Sequence, residues 1–347
     1  MQTAESASTT KSFGRYTLAL ILFLITFVTT TLAQLPITGS STEWQSYIQA
    51  LGDLERLKFA LSFSLPLMFI MTVHELGHFF VARAQKLPLS PPLFLPAPTM
   101  FGTLGSVMLM HEQPTSRPFL LRLAAAGPLA GLLCAIGFTA WGLMHSQPLR
   151  ALPPTDEISL RLGSSLIFEF LRMLAGFSGN DLILHPTAFA GWVGLFLTAL
   201  NLVPAGQLDG GHILYALIGR KQRLVSSVSL VVLTLISLSL AFQTYAAEQG
   251  LGSLVWLFWA FLILLMGSHQ PPDDLLQTPP RLPQKLLGYL MLVFFLLTFV
   301  PTPLQTPGGK RDNRRVNAQR GALLLPYFGP SNTSRGRPPT TPEEFRL

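Results

Sequence analysis

The stretch MTVHELGHFF, residues 71–80, places two histidines and a glutamate inside a long apolar segment. An ionisable side chain at membrane depth costs about 3 kcal/mol unless it is paired or serves a function. In a helix, positions i and i+4 share one face, so His74 and His78 can bind one metal ion together. Glu75 lies beside the first of them, where its carboxylate can reach a water molecule on that metal. This spacing predicts a zinc site with a nearby general base.

The composition indicates a membrane protein, since 49% of the residues are hydrophobic and only 12% are charged. A bilayer core is crossed by about 20 apolar residues in a helix. Seven apolar runs approach that length: 18–33, 59–82, 120–144, 189–203, 224–246, 251–267 and 286–300. We therefore predict an all-α polytopic membrane protein with six to seven transmembrane helices.

The domain layout follows from these runs. Residues 1–16 are expected to form an N-terminal cytoplasmic segment and residues 17–301 the membrane domain, whose core spans 59–219. Residues 302–347 form a basic tail rich in Pro, Gly, Ser and Thr, a composition typical of disorder. The first run is interpreted as a retained anchor, with a cleaved signal peptide as the alternative.

The segment between Lys86 and Pro118 is apolar but rich in proline, so it cannot form a continuous helix. Non-helical backbone at membrane depth is tolerated only where protein buries it or where it lines a cavity. We predict a re-entrant loop there, followed by a short strand or β-hairpin at GTLGSVMLM, residues 102–110.

A zinc site needs a third protein ligand, with the fourth position left open for water. The stretch NLVPAGQLDGGH, residues 201–212, closes another apolar run and offers two candidates. Asp209 lies in a glycine-rich turn, where a short carboxylate can turn back into the membrane. His212 is equally suitable by chemistry alone, so the residues leave the choice open.

At these two motifs the chain resembles the site-2 protease family of intramembrane zinc metalloproteases. The likeness covers roughly residues 61–217 and extends to PPLFLPAPTMFGTLGSV and AAAGPLAGL, which resemble the cyanobacterial and plastid-type branch. It implies that Asp209 is the third zinc ligand and that Asn201 holds the substrate backbone or the developing oxyanion. One Zn²⁺ per chain is then bound by His74, His78 and Asp209, and Glu75 is the catalytic base.

The resemblance implies hydrolysis of peptide bonds within or near transmembrane segments, with single-span membrane proteins as substrates. No PDZ domain is evident in the sequence, so a separate substrate-presenting partner is an expectation. A transporter or channel is one alternative, but it predicts ionisable residues spread over several helices. A catalytically silent relative is the other, but the ligand positions and the glutamate are all present.

The formal net charge of +7 indicates contact with an anionic lipid bilayer rather than with nucleic acid. Basic residues flank the apolar runs at ends that can all face one side, which is then the cytoplasmic side. Seven spans would place the basic tail on the opposite side, so the last run or the first one breaks this pattern. We expect a multi-pass protein of a bacterial cytoplasmic membrane, with a plastid membrane as the alternative.

Overall fold

The computed structural model describes residues 2–35, 43–110, 112, 114–148, 161–177, 182–246, 255–266, 278–305 and 323–324. The described part is mostly helical. Its helices are α1 Gln2–Ala33, α2 Glu43–Gly52, α3 Leu54–Ala84, α4 Arg117–Met144, α5 Leu166–Leu174, α6 Pro186–Asn201, α7 Asp209–Ile218, α8 Gln222–Ala246, α9 Val255–Met266 and α10 Leu282–Thr298. Most of the predicted tail lies outside the described residues.

Among the described residues, four helical segments are long and apolar enough to cross a membrane: Gly14–Ala33, Leu54–Ala84, Arg117–Met144 and Asp209–Phe242. The last one joins α7 to α8 through the 3₁₀ turn Gly219–Lys221. Two shorter helices, α9 and α10, are also apolar. The chain is therefore an integral membrane protein, as the composition predicts.

The centre of the fold is the packing of α3, α4 and α6. Helix α6 has only 16 residues, and nearly all of them are buried. Its aromatic side chains continue into a stack of rings that ends in the C-terminal part of the chain, formed by Phe189, Trp192, Phe196, Trp256 and Phe299. These ring contacts join α6 to α9 and to the end of α10.

A β-hairpin lies between α3 and α4. Its second strand falls within residues 102–110, where the sequence predicts a strand or hairpin, but its first strand lies in the segment predicted as a loop. Strands β1 Leu93–Pro96 and β2 Thr103–Val107 pair antiparallel, with Phe94 opposite Ser106. Helix α1 anchors the turn of this hairpin, because Thr29 Oγ1 donates to the Gly102 carbonyl at 2.7 Å and Gln34 Nε2 donates to the Met100 carbonyl at 2.7 Å. The hairpin is thus packed on α1 and α3 rather than extended into solvent.

A second sheet consists of two-residue strands only: β3 Gln147–Pro148, β4 Arg161–Leu162, β5 Leu182–Ile183, β6 Leu304–Gln305 and β7 Leu323–Leu324. Strand β3 follows the C-terminal end of α4 and β5 precedes α6, whereas β6 and β7 follow α10. The sheet therefore lies at the end of the helix bundle opposite to the start of α4.

Candidate metal centre

The centre begins on α3, whose start is capped by the Asp53 side chain. His74 and Glu75 are 7% and 3% exposed, far from either end of the helix. His78 lies one turn after His74, and their Nε2 atoms are 3.2 Å apart. The i and i+4 positions therefore present both rings at one point, as the spacing predicts.

Helix α4 gives the ring of His78 both its space and its orientation. The Leu123 carbonyl lies 2.8 Å from Nδ1 of His78, and because a carbonyl can only accept, this nitrogen carries the proton. The lone pair is then on Nε2, the atom that faces His74. A Cβ atom at Gly127 would overlap the His78 ring, so only glycine allows α4 to approach the ligand this closely.

The third element is the turn from α6 into α7. Asp209 is the first residue of α7, and its Oδ2 lies 3.5 Å from Nε2 of His74 and 3.4 Å from Nε2 of His78. The far end of α7 is held by Arg117 at the start of α4, whose guanidinium donates to the carbonyls of Ala216 and Leu217 at 2.9 Å each. These charged hydrogen bonds fix α7, and with it Asp209, relative to α4.

The three donor atoms form a triangle with sides of 3.2, 3.4 and 3.5 Å. Ligand atoms of a tetrahedral zinc ion with bonds of about 2.1 Å lie about 3.4 Å apart, so the triangle has the size of one face of such a site. Two imidazoles and a carboxylate are also a ligand set that zinc accepts in catalytic sites. The residues present therefore fit a zinc ion.

The two candidates for the third ligand differ in position. Within the part of the chain that the structure describes, His74, His78 and Asp209 are the group whose ligand atoms lie within 4.8 Å of one another. His212 is not a member of this group, although it follows Asp209 by less than one turn of α7. Asn201, at the end of α6, places Nδ2 3.3 Å from Nε2 of His74, at the edge of the same centre.

Sequence reasoning missed one residue of the centre, Ser106 on β2. Its hydroxyl donates to Oε1 of Glu75 at 2.6 Å, across 31 positions of the chain. Only the hairpin register brings them together, and no spacing in the sequence indicates that contact. The sequence predicts a strand in the segment that contains Ser106, but it does not indicate which residue of that strand contacts Glu75.

The fold and this centre define a class of protein, a polytopic membrane protein with a buried group of two histidines and one carboxylate that fits a metal ion. The model of peptidase family M50 matches residues 62–242, which contain every residue of the centre. The chain belongs to this family, which confirms the resemblance to the site-2 proteases.

Plant proteins are among its relatives. The chain is 30% identical over 274 residues to the protein named probable zinc metalloprotease EGY2, chloroplastic, of Arabidopsis thaliana, covering 76% of the chain and 46% of that protein. It is 30% identical over 267 residues to the protein of the same name from Oryza sativa subsp. indica, covering 74% of the chain and 45% of that protein.

A third relative, probable zinc metalloprotease EGY1, chloroplastic, of Arabidopsis thaliana, is 27% identical over 305 residues, covering 83% of the chain and 53% of that protein. The chain thus spans about half the length of the curated relatives it matches. No solved structure matches the chain.

Proposed function

We propose that this protein is an intramembrane zinc metalloprotease that hydrolyses peptide bonds within or near the transmembrane segments of single-span membrane proteins. The observation that carries the proposal is the convergence of His74, His78 and Asp209 at distances suited to one zinc ion per chain. Membership of peptidase family M50 and the zinc metalloprotease names of the plant relatives support it.

When bound, zinc polarises the scissile carbonyl and makes a water molecule a stronger nucleophile at neutral pH. Glu75 accepts the proton of the attacking water and returns it to the leaving amine. The Ser106 hydroxyl, which donates to Oε1 of Glu75, keeps this carboxylate in one orientation. Asn201 can donate an N–H to the oxyanion that develops on the scissile carbonyl, because its amide lies at the edge of the ligand triangle.

The hairpin β1–β2 serves substrate positioning in this proposal. A transmembrane helix must unwind before its carbonyls are accessible, because helical hydrogen bonds shield them. An unwound segment that pairs with β2 as an added strand would lie next to Glu75, since β2 carries Ser106. Presentation of the substrate to this edge by a separate partner remains part of the proposal.

The membrane arrangement proposed is six to seven spans with a re-entrant segment at residues 86–118. Glu75 lies nine residues before the end of α3, which corresponds to a depth of about 14 Å along the helix axis. The hairpin reaches Glu75, so it lies at membrane depth rather than on the surface. We also propose that α1 is retained as an anchor, because the hairpin turn is bonded to it.

For the location we propose a bacterial cytoplasmic membrane, with the metal centre nearer the cytoplasmic face. The end of α3 and the starts of α4 and α8 carry basic residues, a bias typical of the cytoplasmic side: Arg83, Lys86, Arg117, Lys221 and Arg223. A plastid membrane is the alternative, supported by the chloroplastic names of the relatives.

The proposal is tested by incubating the purified full chain with a single-span substrate in detergent or proteoliposomes. The wild type is expected to cleave it, and Glu75→Gln, which keeps the size of the side chain, is expected to retain zinc but to lose roughly 10²–10⁴-fold in rate. Cleavage by Glu75→Gln at the wild-type rate would contradict the proposed role of Glu75. Zinc uptake into proteoliposomes without any cleavage would favour the transporter alternative.

A further inference from the structure

A cavity of about 450 Å³ lies outside the metal centre, between α1 at Tyr16 and the end of α3. Its walls combine aromatic and apolar side chains, including Tyr16, Phe79 and Leu87, with the basic side chains of Arg83 and Lys86. Both basic residues are exposed, and among the described residues neither forms an ion pair. Among the described residues, the cavity therefore combines two positive charges that have no ion-pair partner with an apolar and aromatic wall.

The backbone at the end of α3 gives a second, independent observation. Lys86 has φ of 57°, and it is the one non-glycine residue with positive φ in the described part of the chain. Leu87 N donates to the Ala82 carbonyl and Lys86 N to the Arg83 carbonyl, each at 3.0 Å, which is a Schellman motif with lysine at the position where glycine is favoured. Lysine is less favourable than glycine at that position, so Lys86 ends the helix at a cost in conformational energy.

The position of the cavity relative to the membrane restricts its occupant. The candidate span of α1 begins at Gly14 and that of α3 ends at Ala84, so the cavity lies at the level where the two helices enter the bilayer surface. Tyr16 is 62% exposed at this level, as is typical of aromatic residues at the headgroup region. A ligand in the cavity can therefore keep acyl chains in the bilayer and a headgroup beside the basic residues.

We propose that this cavity binds the phosphate headgroup of an anionic phospholipid from the same leaflet. The guanidinium of Arg83 and the ammonium of Lys86 bind the phosphate, and the aromatic and apolar wall contacts the glycerol and the first methylenes. The site is separate from the metal centre and does not depend on the proposed proteolysis. It ties the ends of α1 and α3 together from the lipid side.

The test uses the purified full chain in detergent, with unfolding followed by tryptophan fluorescence during titration with phosphatidylglycerol. A ligand that binds only the folded state raises the unfolding midpoint, and above its dissociation constant the rise follows the logarithm of the ligand concentration. We expect such a rise with phosphatidylglycerol for the wild type and none with phosphatidylcholine. An equal rise with phosphatidylcholine would overturn the proposal, because acyl chains alone would then account for it.

Substitutions locate the site. Each basic side chain near an anionic surface contributes roughly fivefold in affinity, so Arg83→Gln with Lys86→Gln should raise the lipid concentration needed for a given rise of the midpoint by roughly 25-fold. The matched control, Lys221→Gln with Arg223→Gln, removes the same charge from exposed residues at the start of α8 and should leave it unchanged. An equal loss in the control would overturn the proposal in favour of general charge attraction.

Lys86→Gly separates lipid binding from helix capping. Glycine relieves the positive-φ strain, so the unfolding midpoint without lipid should not fall, while the response to phosphatidylglycerol should weaken by roughly fivefold. An unchanged lipid response would show that Lys86 only ends the helix. Inorganic phosphate is the last ligand to be tested. A rise of the unfolding midpoint as large as that with the lipid would assign the cavity to free phosphate and overturn the lipid proposal.

Discussion

Replacing Gly127 by alanine tests whether helix packing, and not only ligand identity, forms the metal centre. An added Cβ would overlap the His78 ring, with Cε1 only 2.6 Å away. An ordinary contact between carbon atoms is about 3.5 Å, so the ring must move by roughly 1 Å. The ligand triangle has sides of 3.2 to 3.5 Å, and metal–ligand distances tolerate only about 0.2 Å of change. We expect zinc affinity to fall by roughly 100-fold, as for loss of a group that orients a ligand.

Two other glycines of α4 supply matched controls for this change. A Cβ at Gly137 would meet no atom within 4 Å, and one at Gly131 would lie 3.0 Å from Cβ of His74. Gly137→Ala should bind zinc like the wild type and gain up to about 1 kcal/mol of stability from helix propensity. Gly131→Ala should fall between the two.

The measurement is competition for zinc against a calibrated chelator, together with the unfolding midpoint of each variant. A Gly127→Ala protein that remains folded and binds zinc as tightly as Gly137→Ala would refute the reasoning. It would mean that α4 can move away from α3 without disturbing His78. Weak zinc binding in all three variants would also contradict the reasoning, because zinc affinity would then not depend on how much room each glycine leaves for a Cβ atom.

Three further changes probe other parts of the fold. Arg117→Gln removes the charged hydrogen bonds to the end of α7 and should lower the free energy of unfolding by roughly 2 kcal/mol, measured by denaturant titration. Gly105→Pro is incompatible with φ of 111° in β2 and should reduce cleavage without releasing zinc; full cleavage would contradict the proposed strand pairing. His185 caps α6 by accepting from Thr187 N, and burial with nearby His145 lowers its pKa from 6.5 to about 4. Stability should therefore be lost as the pH falls from 6.5 to 4, because the unfolded state binds more protons there, and His185→Asn should flatten that profile.

The metal motif could be predicted from the sequence because its geometry is local. His74 and His78 are four residues apart in a helix, and helical periodicity alone brings their rings together. The prolines likewise indicated the break after α3, and the structure contains a strand in the predicted segment 102–110, although its partner strand at 93–96 was expected to be a loop. The third ligand was different, since composition and turn chemistry did not separate Asp209 from His212, and only the family resemblance favoured Asp209.

The contacts that sequence reasoning did not predict depend on tertiary packing. Ser106 meets Glu75 through the register of β1 and β2, and Gly127 meets His78 through the crossing of α3 and α4. Arg117 reaches the end of α7 across 99 and 100 positions of the chain. The two partners of each contact lie on different segments, so the periodicity of one segment does not predict the contact. Only the folded structure shows it.

The most direct test of the central claim is the zinc content of the purified full chain beside Asp209→Ala and His212→Ala. We predict one zinc per chain in the wild type and in His212→Ala, and strongly reduced zinc in Asp209→Ala. Retention of zinc by Asp209→Ala with loss in His212→Ala would contradict the ligand set of His74, His78 and Asp209.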